Sequence, residues 1–398
     1  MDEWTGAVTT TPLRFLAAIN ERVLPEDTPP DFAFKYVDIS QVDSNGGVAI
    51  PADDMRFESA PSRARRLAEP GSTVVSTVRT YLRAIGTVPV DATPLVFSTG
   101  FAVLRPLHID PRFFGYICRS DGFVNEVVAR SVGVSYPAIS PSDLRDIRLP
   151  SPDSHEQRRI ADFLDDRVAR IDQIITARNS QSALLIPRRR AAVAQAVAGL
   201  PKLPIRRLLR RVITGGTPGP EADSPGGLSW FSPGAFRADL TLGQPTRSVE
   251  PSACVEFPAN TVVMVGIGAT AGKVAWLDKR ASGNQQLTCL EHHPQVAEAR
   301  FLLHQLDALG DSLLRSAPAA TLPIINNESL RAFNVAIAEL QEQHRLSEEW
   351  DSRLAQDSEI SGRLERSVHL LNEYKQALIT AAVTGELDVT TAGSGIPG

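Results

Sequence analysis

Apolar residues recur every three or four positions along two long stretches of this chain, and more irregularly along the rest. In the stretch 156–199 the spaced set is Ile160, Leu164, Val168, Ile171, Ile174, Ile175, Leu184 and Leu185. In the second it is Leu346, Trp350, Leu354, Ile360, Leu364, Val368, Leu371, Tyr374 and Leu378. This is the helical period, and Leu364, Leu371 and Leu378 lie seven apart, as a coiled-coil seam requires. Each stretch predicts an amphipathic helix of about 40 residues, about 60 Å long. Each ends at a glycine, Gly199 or Gly385, suited to a left-handed C-cap. Pro187 is expected to kink the first helix or split it. Two such helices in one chain can bury their stripes against each other.

The regions ahead of the helices read differently. Short β-rich runs at 34–39, 73–78, 96–104, 261–265 and 274–277 alternate with turns rich in Gly, Pro, Asn and Ser. Runs at 111–117 and 300–309 read as short helices. Each region predicts an α+β globule of about 140 residues, enough for its own core.

The pattern occurs twice. A shift of 186 positions lays His155-Glu156-Gln157-Arg158-Arg159-Ile160 on Gln341-Glu342-Gln343-His344-Arg345-Leu346. Without a gap it lays Gln195-Ala196-Val197-Ala198-Gly199 on Ala381-Ala382-Val383-Thr384-Gly385. Tyr136-Pro137-Ala138-Ile139 pairs with Leu322-Pro323-Ile324-Ile325. Further upstream the register drifts, and Gly86-Thr87-Val88 is matched to Gly272-Lys273-Val274. The chain is two copies of one unit, about 1–200 and 201–398, each a variable front half before a better-matched helical back half. The expected domains are 1–150, a helical region 151–200, 201–338, a second helical region 339–390, and a disordered tail 391–398.

Composition narrows the class. Apolar content of 42% and charged content of 22% suit a soluble globular protein. No apolar run is long enough to span a bilayer, and the start MDEWTGAV lacks the marks of a signal peptide, so the cytoplasm is expected. Cys118, Cys254 and Cys289 form no ligand-spaced pair and read as free thiols. The net charge of −5 is uneven: −3 over 1–150, +2 over 151–200, +2 over 201–338 and −6 over 339–398. Such a chain alone should hold DNA weakly, because phosphate neutralisation supplies most non-specific affinity. A partner that completes the grip is implied.

Several constellations are candidates for chemistry. In Gly266-Ile-Gly268-Ala-Thr-Ala-Gly272-Lys273 the spacing is not that of a nucleotide loop, since residue 267 is Ile and residue 274 is Val. It reads as a turn that presents Lys273 to DNA, or as a structural turn. Asn284, Gln285 and Gln286 carry amides able to read adenine, and equally able to satisfy loop backbone. In the first copy Arg79, Tyr81 and Arg83 alternate along one expected strand face, and Ser98-Thr99 falls at the position of Gln285; a solvated face is the plain alternative. Arg63, Arg65 and Arg66, and Arg206, Arg207, Arg210 and Arg211, suit phosphate contacts or solvated helix faces. Arg188-Arg189-Arg190 faces either DNA or an acidic partner. His292-His293 has no neighbouring ligand, so no metal site is expected. Neither an Asn/Asp-Pro-Pro-Tyr/Phe methyltransferase motif nor an Asp…Glu-x-Lys nuclease cluster is found, so no catalytic residue is assigned.

One family shares this organisation. The first helix opens Leu149-Pro150-Ser-Pro-Asp-Ser-His-Glu156-Gln157-Arg-Arg-Ile160-Ala161, the second keeps Glu342-Gln343, and the chain closes Lys375-Gln376-Ala377-Leu378-Ile379-Thr380-Ala-Ala-Val-Thr-Gly385-Glu-Leu-Asp388. Gly272-Lys273-Val274 before Gly283-Asn284-Gln285-Gln286-Leu287, and Pro318-Ala-Ala-Thr321-Leu322-Pro323-Ile324, add to it. In order, duplication and spacing the chain resembles the specificity subunits of Type I restriction-modification systems over nearly its whole length. The first domain departs most, having no Lys after its Gly86-Thr87.

The resemblance implies two tandem target-recognition domains, each followed by a long helix, the helices pairing as an antiparallel coiled coil. It implies that the domains read two halves of an asymmetric bipartite target in the major groove, with Arg79, Tyr81, Arg83, Ser98, Thr99, Lys273, Asn284, Gln285 and Gln286 as the DNA-facing set. The helices would set the unread spacer. They would also dock two methyltransferase subunits through Glu156, Gln157, Ile160, Glu342, Gln343, Leu346, Leu371 and Leu378. A nuclease/translocase subunit would join the assembly, and AdoMet, ATP and Mg²⁺ would belong to the partners. The alternatives are a stand-alone divergent DNA-modifying enzyme and a coiled-coil adaptor in another defence complex.

Overall fold

In the computed structural model residues 9–89, 95–316 and 323–392 are described. The motif residues 318–322, the first eight residues and 393–398 of the expected tail lie outside them. The chain divides into two compact units, 1–177 with 367–398, and 178–366. Two long helices, Ser154–Ala196 and Leu340–Thr384, each contribute one part to either unit.

The first unit holds two four-stranded sheets. In one, Ala17–Ile19, Phe101–Pro106, Thr73–Ser76 and Ile85–Thr87 are neighbours in that order, all antiparallel. In the other the order is Met55–Arg56, Ala33–Val37, Leu95–Ser98 and Ala64–Ala68, the central pair being parallel. Val37, Val74, Leu95, Phe97, Phe101 and Val103 form one buried cluster. A larger cluster packs helix Pro111–Arg119, through Phe113, Phe114 and Ile117, against the long helices. There Ile160, Leu164, Val168 and Ile171 meet Leu378, Ile379, Ala382 and Val383. Lys375 Nζ donates to Asp172 Oδ1 at 2.7 Å beside this seam.

The second unit repeats the plan. One sheet runs Leu209–Thr214, Leu287–His292, Thr261–Val265, Val274–Leu277. A second runs Arg247–Val249, Asp223–Phe231, Ala281–Gly283, again with one parallel pair. Helix Ala299–Ser316 covers the first sheet, and Val193 and Val197 pack with Leu346, Trp350 and Phe301. Within the first unit the start of one long helix therefore meets the end of the other. Within the second unit the end meets the start. The pairing is antiparallel in both. Paired elements keep the 186-residue offset, among them Phe101–Pro106 with Leu287–His292, Arg148–Pro150 with Asn334–Ala336, and the starts of the two long helices.

Several expectations need correction. Pro187 does not split the first long helix, which continues to Ala196. Loss of a helical bond and the ring clash cost about 3 kcal/mol, but the following turns are anchored by Arg189 and Arg190 on Asp307 and by buried Val193. Gly385 takes the left-handed cap at φ +79, whereas Gly199 does not; the first helix already ends at Ala196 and tightens through Ala198 N–H to Gln195 O. The run 96–104 is two strands broken by a turn at Thr99 and Gly100. The helix expected at 300–309 extends over Ala299–Ser316. Arg65, Arg66, Arg210 and Arg211 lie on strands, not helix faces. Among the described residues no helix is long and apolar enough to cross a membrane, and no cluster of three or more His, Cys, Asp and Glu residues is placed to hold a metal ion.

Candidate nucleic-acid interface

Within each unit two turns and one loop segment are tied together by backbone hydrogen bonds. In the first unit the hairpin after Thr73–Ser76 is closed by Ser76 N–H to Ala84 O at 2.9 Å. The Ser98–Gly100 turn joins it through Thr77 N–H to Gly100 O at 2.8 Å. The loop joins through Arg79 N–H to Pro137 O at 2.8 Å and Ile139 N–H to Thr77 O at 2.9 Å. The second unit makes the same bonds. Val265 N–H donates to Lys273 O (2.8 Å), Gly266 N–H to Gln286 O (2.7 Å), Gly268 N–H to Pro323 O (3.0 Å) and Ile325 N–H to Gly266 O (2.7 Å).

This correspondence changes the alignment of the two copies. In the hairpin the offset is 189, so Arg83-Ala84-Ile85 matches Gly272-Lys273-Val274, and Gly86-Thr87 does not. Arg79 at φ +49 and Arg83 at φ +56 occupy the left-handed positions that Gly268 and Gly272 hold at φ +108 and φ +89. They are therefore not on a strand face. They flank a short 3-10 helix, Thr80–Leu82. The strand fails to continue because the loop takes its edge, Val78 bridging Ala138 as Ile267 bridges Ile324. Left-handed backbone in a bulky residue is uncommon and tends to mark a site held by its surroundings.

The same backbone thus carries different side chains. In the first unit Arg79 is exposed and its guanidinium lies 4.7 Å from the Tyr136 ring centre. Tyr81 is half exposed, but Arg83 is engaged by Asp121. Ser98 is buried and accepts from Gly100 N–H, leaving Thr99 as the exposed tip. Beside it the loop exposes Val132, Val134 and Tyr136, which sequence reading did not single out.

In the second unit Gln285 is the exposed tip, its Oε1 accepting from Thr217 Oγ1 at 2.5 Å. Asn284 Nδ2 donates to Gln286 Oε1 (2.8 Å) and Gln286 Nε2 to Ile267 O (3.2 Å), so these two amides serve the turn itself. Lys273 lines a cavity with Arg189, Arg190 and Arg237 around Asp307. An exposed guanidinium, a phenol, a hydroxyl and an amide are the donors and acceptors that read base edges and phosphates.

The helix openings hold a second feature. Gln157 and Gln343 are buried, at 5% and 0% exposure. Gln343 Oε1 accepts Glu298 N–H (2.9 Å), while Nε2 donates to Val296 O (3.0 Å) and Ala338 O (2.9 Å). Gln157 does likewise with Asp110 N–H and Pro152 O, both at 2.8 Å. Each glutamine clamps the start of its long helix to the segment entering the preceding domain helix. Ile160, Leu346 and Leu378 are buried within their own units and Leu371 partly so. Of the docking set, Glu156 and Glu342 keep open surface, paired with Arg159 and Arg345. The signal for the clamp was in the repeat: an uncharged polar residue held in one register beside the apolar stripe.

Three ionisable groups show how the surroundings act. Burial alone would raise the Asp351 carboxyl, but hydrogen bonds from His304 Nε2 (2.8 Å) and Arg300 (2.7 and 2.9 Å) outweigh it and hold it below the usual range. Cys118 and Cys289 form no disulfide, and burial pushes their thiols up, Cys289 to about 11. Neither is a thiolate near neutrality, so neither suits nucleophilic chemistry.

Comparison with known proteins gives concordant matches. A family model described as Type I restriction modification DNA specificity domain matches residues 62–181 and 223–351. The EcoBI specificity subunit of the Type I restriction enzyme from Escherichia coli is 26% identical over 125 residues, 31% of this chain and 26% of that protein. The EcoDI specificity subunit, also from Escherichia coli, is 29% identical over 94 residues, 24% of this chain and 21% of its own length. The matched stretches thus span about a quarter of those relatives. A chain from a structural study of complex assembly and conformational transition in the type I R-M system aligns over 96% of this chain and 99% of its own, with 23% identity and a TM-score of 0.73. That likeness is one of fold.

Proposed function

Because the chain belongs to the family of Type I restriction modification DNA specificity domains, we propose that it is the non-catalytic specificity subunit of a restriction-modification enzyme of that type. One observation carries the reading: two units build the same pair of turns and dress them with different side chains. A duplicated frame with unlike tips suits an asymmetric, bipartite target on double-stranded DNA. Arg79, Tyr81 and Thr99 would face one half-site and Gln285 the other, reading the major groove. Lys273, Ser98, Asn284, Gln286 and the Asp121-paired Arg83 would support these tips.

The long helices would set the unread spacer. Their outer faces, Glu156 and Glu342 included, would dock two methyltransferase subunits, and a nuclease/translocase subunit would complete the assembly. The chemistry would be adenine methylation, with the base flipped into the methyltransferase's own pocket, and ATP-dependent cleavage. AdoMet, ATP and Mg²⁺ then belong to those partners, and the assembly works in the cytoplasm.

Methylome sequencing with and without the gene tests this. Loss of one bipartite adenine-methylation motif is expected, and an unchanged methylome, or turnover by the purified chain with AdoMet or Mg²⁺ alone, overturns it. The spacer role has its own test. A segment added between Leu185 and Gly199 would pull Arg189 from Asp307, so matched insertions belong after Ala177 and after Arg366, where the units divide. Two helical turns in each helix add about 10 Å, or about three base pairs of spacer. An active variant with an unchanged spacer rules that role out.

A further inference from the structure

Arg189 lies on the closing part of the first long helix, inside the second unit, and is 4% exposed. Its Nη2 donates to Asp307 Oδ2 (3.1 Å) and Ala238 O (3.2 Å), but its buried Nε has no partner. Arg190 Nε and Nη2 both reach Asp307 Oδ1, at 3.1 and 2.8 Å. One buried carboxylate therefore serves two guanidinium groups. Arg237 and Lys273 line the same cavity, and neither side chain makes a hydrogen bond or ion pair among the described residues. Four cations thus surround one anion. Asp307 is the one acidic residue in the walls, so nothing there balances the remaining positive charge. The cavity measures about 140 Å³, several times the share of about 30 Å³ that one water takes in the liquid. It has room for a tetrahedral group of a few heavy atoms.

We infer that this cavity, walled by Arg189, Arg190, Arg237 and Lys273, is a binding site for a phosphate-class oxyanion. Guanidinium forks match the paired oxygens of such a group, and a lysine adds an adaptable point charge. The side chains of Arg237 and Lys273, which have no partner of their own, supply free donors, and a dianion offsets most of the excess. Because the walls come from the closing part of the first long helix, the 237–240 segment and the strand beginning at Val274, the bound anion would lock that part of the helix to the recognition domain of the second unit. The phosphate can be free, or can belong to a polynucleotide backbone reaching the exposed Arg237 and Lys273.

The test uses the full chain and inorganic phosphate, with chloride at matched ionic strength as the control. Phosphate should raise the melting temperature of the second unit saturably and give a calorimetric binding isotherm; chloride should do neither. The double variant Arg237→Ala/Lys273→Ala should weaken phosphate binding about tenfold or more yet melt no lower than the parent in chloride, since it removes unpaired charges. Absence of a saturable phosphate effect, or an unchanged affinity in the variant, overturns the proposal. A second arm identifies the source. If a backbone phosphate occupies the site, the variant's salt slope on duplex DNA falls by up to about two; if free phosphate does, the slope is unchanged while phosphate binding is still lost. The phosphate arm needs no cognate DNA, so its failure is distinct from a failure of the specificity-subunit reading.

Discussion

Replacing Gln343 by Met removes three hydrogen bonds while keeping the length of the side chain, so no cavity opens. The substitution strands the Glu298 N–H and deprives Val296 O and Ala338 O of their donor. A buried polar group left without a partner costs about 1–3 kcal/mol. Counting the amide and one of the carbonyls, the expected loss is about 2–6 kcal/mol. Because the chain folds as two units, a single unfolding free energy is not the right observable. Hydrogen exchange is. The Glu298 amide and the first turn of helix Ala299–Ser316 should exchange at least about 30-fold faster, the equivalent of about 2 kcal/mol. The corresponding amides around Asp110 in the first unit should not change. Gln343→Glu should be at least as damaging, because it keeps the acceptor but sets a carboxylate against two carbonyls. Refutation is simple: a Glu298 amide as well protected in the Met variant as in the parent means the glutamine is a bystander.

Lys375→Met should destabilise the first unit by about 1–3 kcal/mol, since it strips the buried ammonium's bond to Asp172 from the helix seam; chemical denaturation of the variant beside Asp172→Asn shows whether the two changes are non-additive, as a direct pair requires. Asp351 has its folded pKa depressed, so its contribution is present above the unfolded value of about 3.9 and is lost as the pH falls through the lower folded value. Acid titration of second-unit melting should show this loss below about pH 4, and Asp351→Asn should abolish that component. Arg79→Ala should reduce the salt slope of DNA binding by about one if the guanidinium meets a phosphate. If it reads a base instead, the preference at one position relaxes and the slope stays.

The duplication, the helical back halves and the α+β front halves were all legible in the sequence. They rest on local periodicities: 3.6 for the helix, and short β-branched runs between Gly and Pro for the strands. The recognition tips were only half legible. The turn before Lys273 and the exposed Gln285 are visible there, yet alternation at Arg79, Tyr81 and Arg83 points to a strand face, because it does not show that the 137–139 loop claims the strand's edge. The 189-residue offset of the hairpins is hidden for the same reason. Glycine in one copy and arginine in the other share a left-handed backbone, and no residue likeness reveals it.

By itself the sequence determined that this is a two-copy chain with one long amphipathic helix per copy. Only the tertiary structure decided that Gln157 and Gln343 are internal clamps, that Arg189 and Arg190 share one carboxylate, and that the helix continues through Pro187. These outcomes depend on residues tens to more than a hundred positions away, such as Asp307 for Arg189. The energy that settles a side chain's role comes from those distant partners, whereas the energy that sets helix or strand is mostly local.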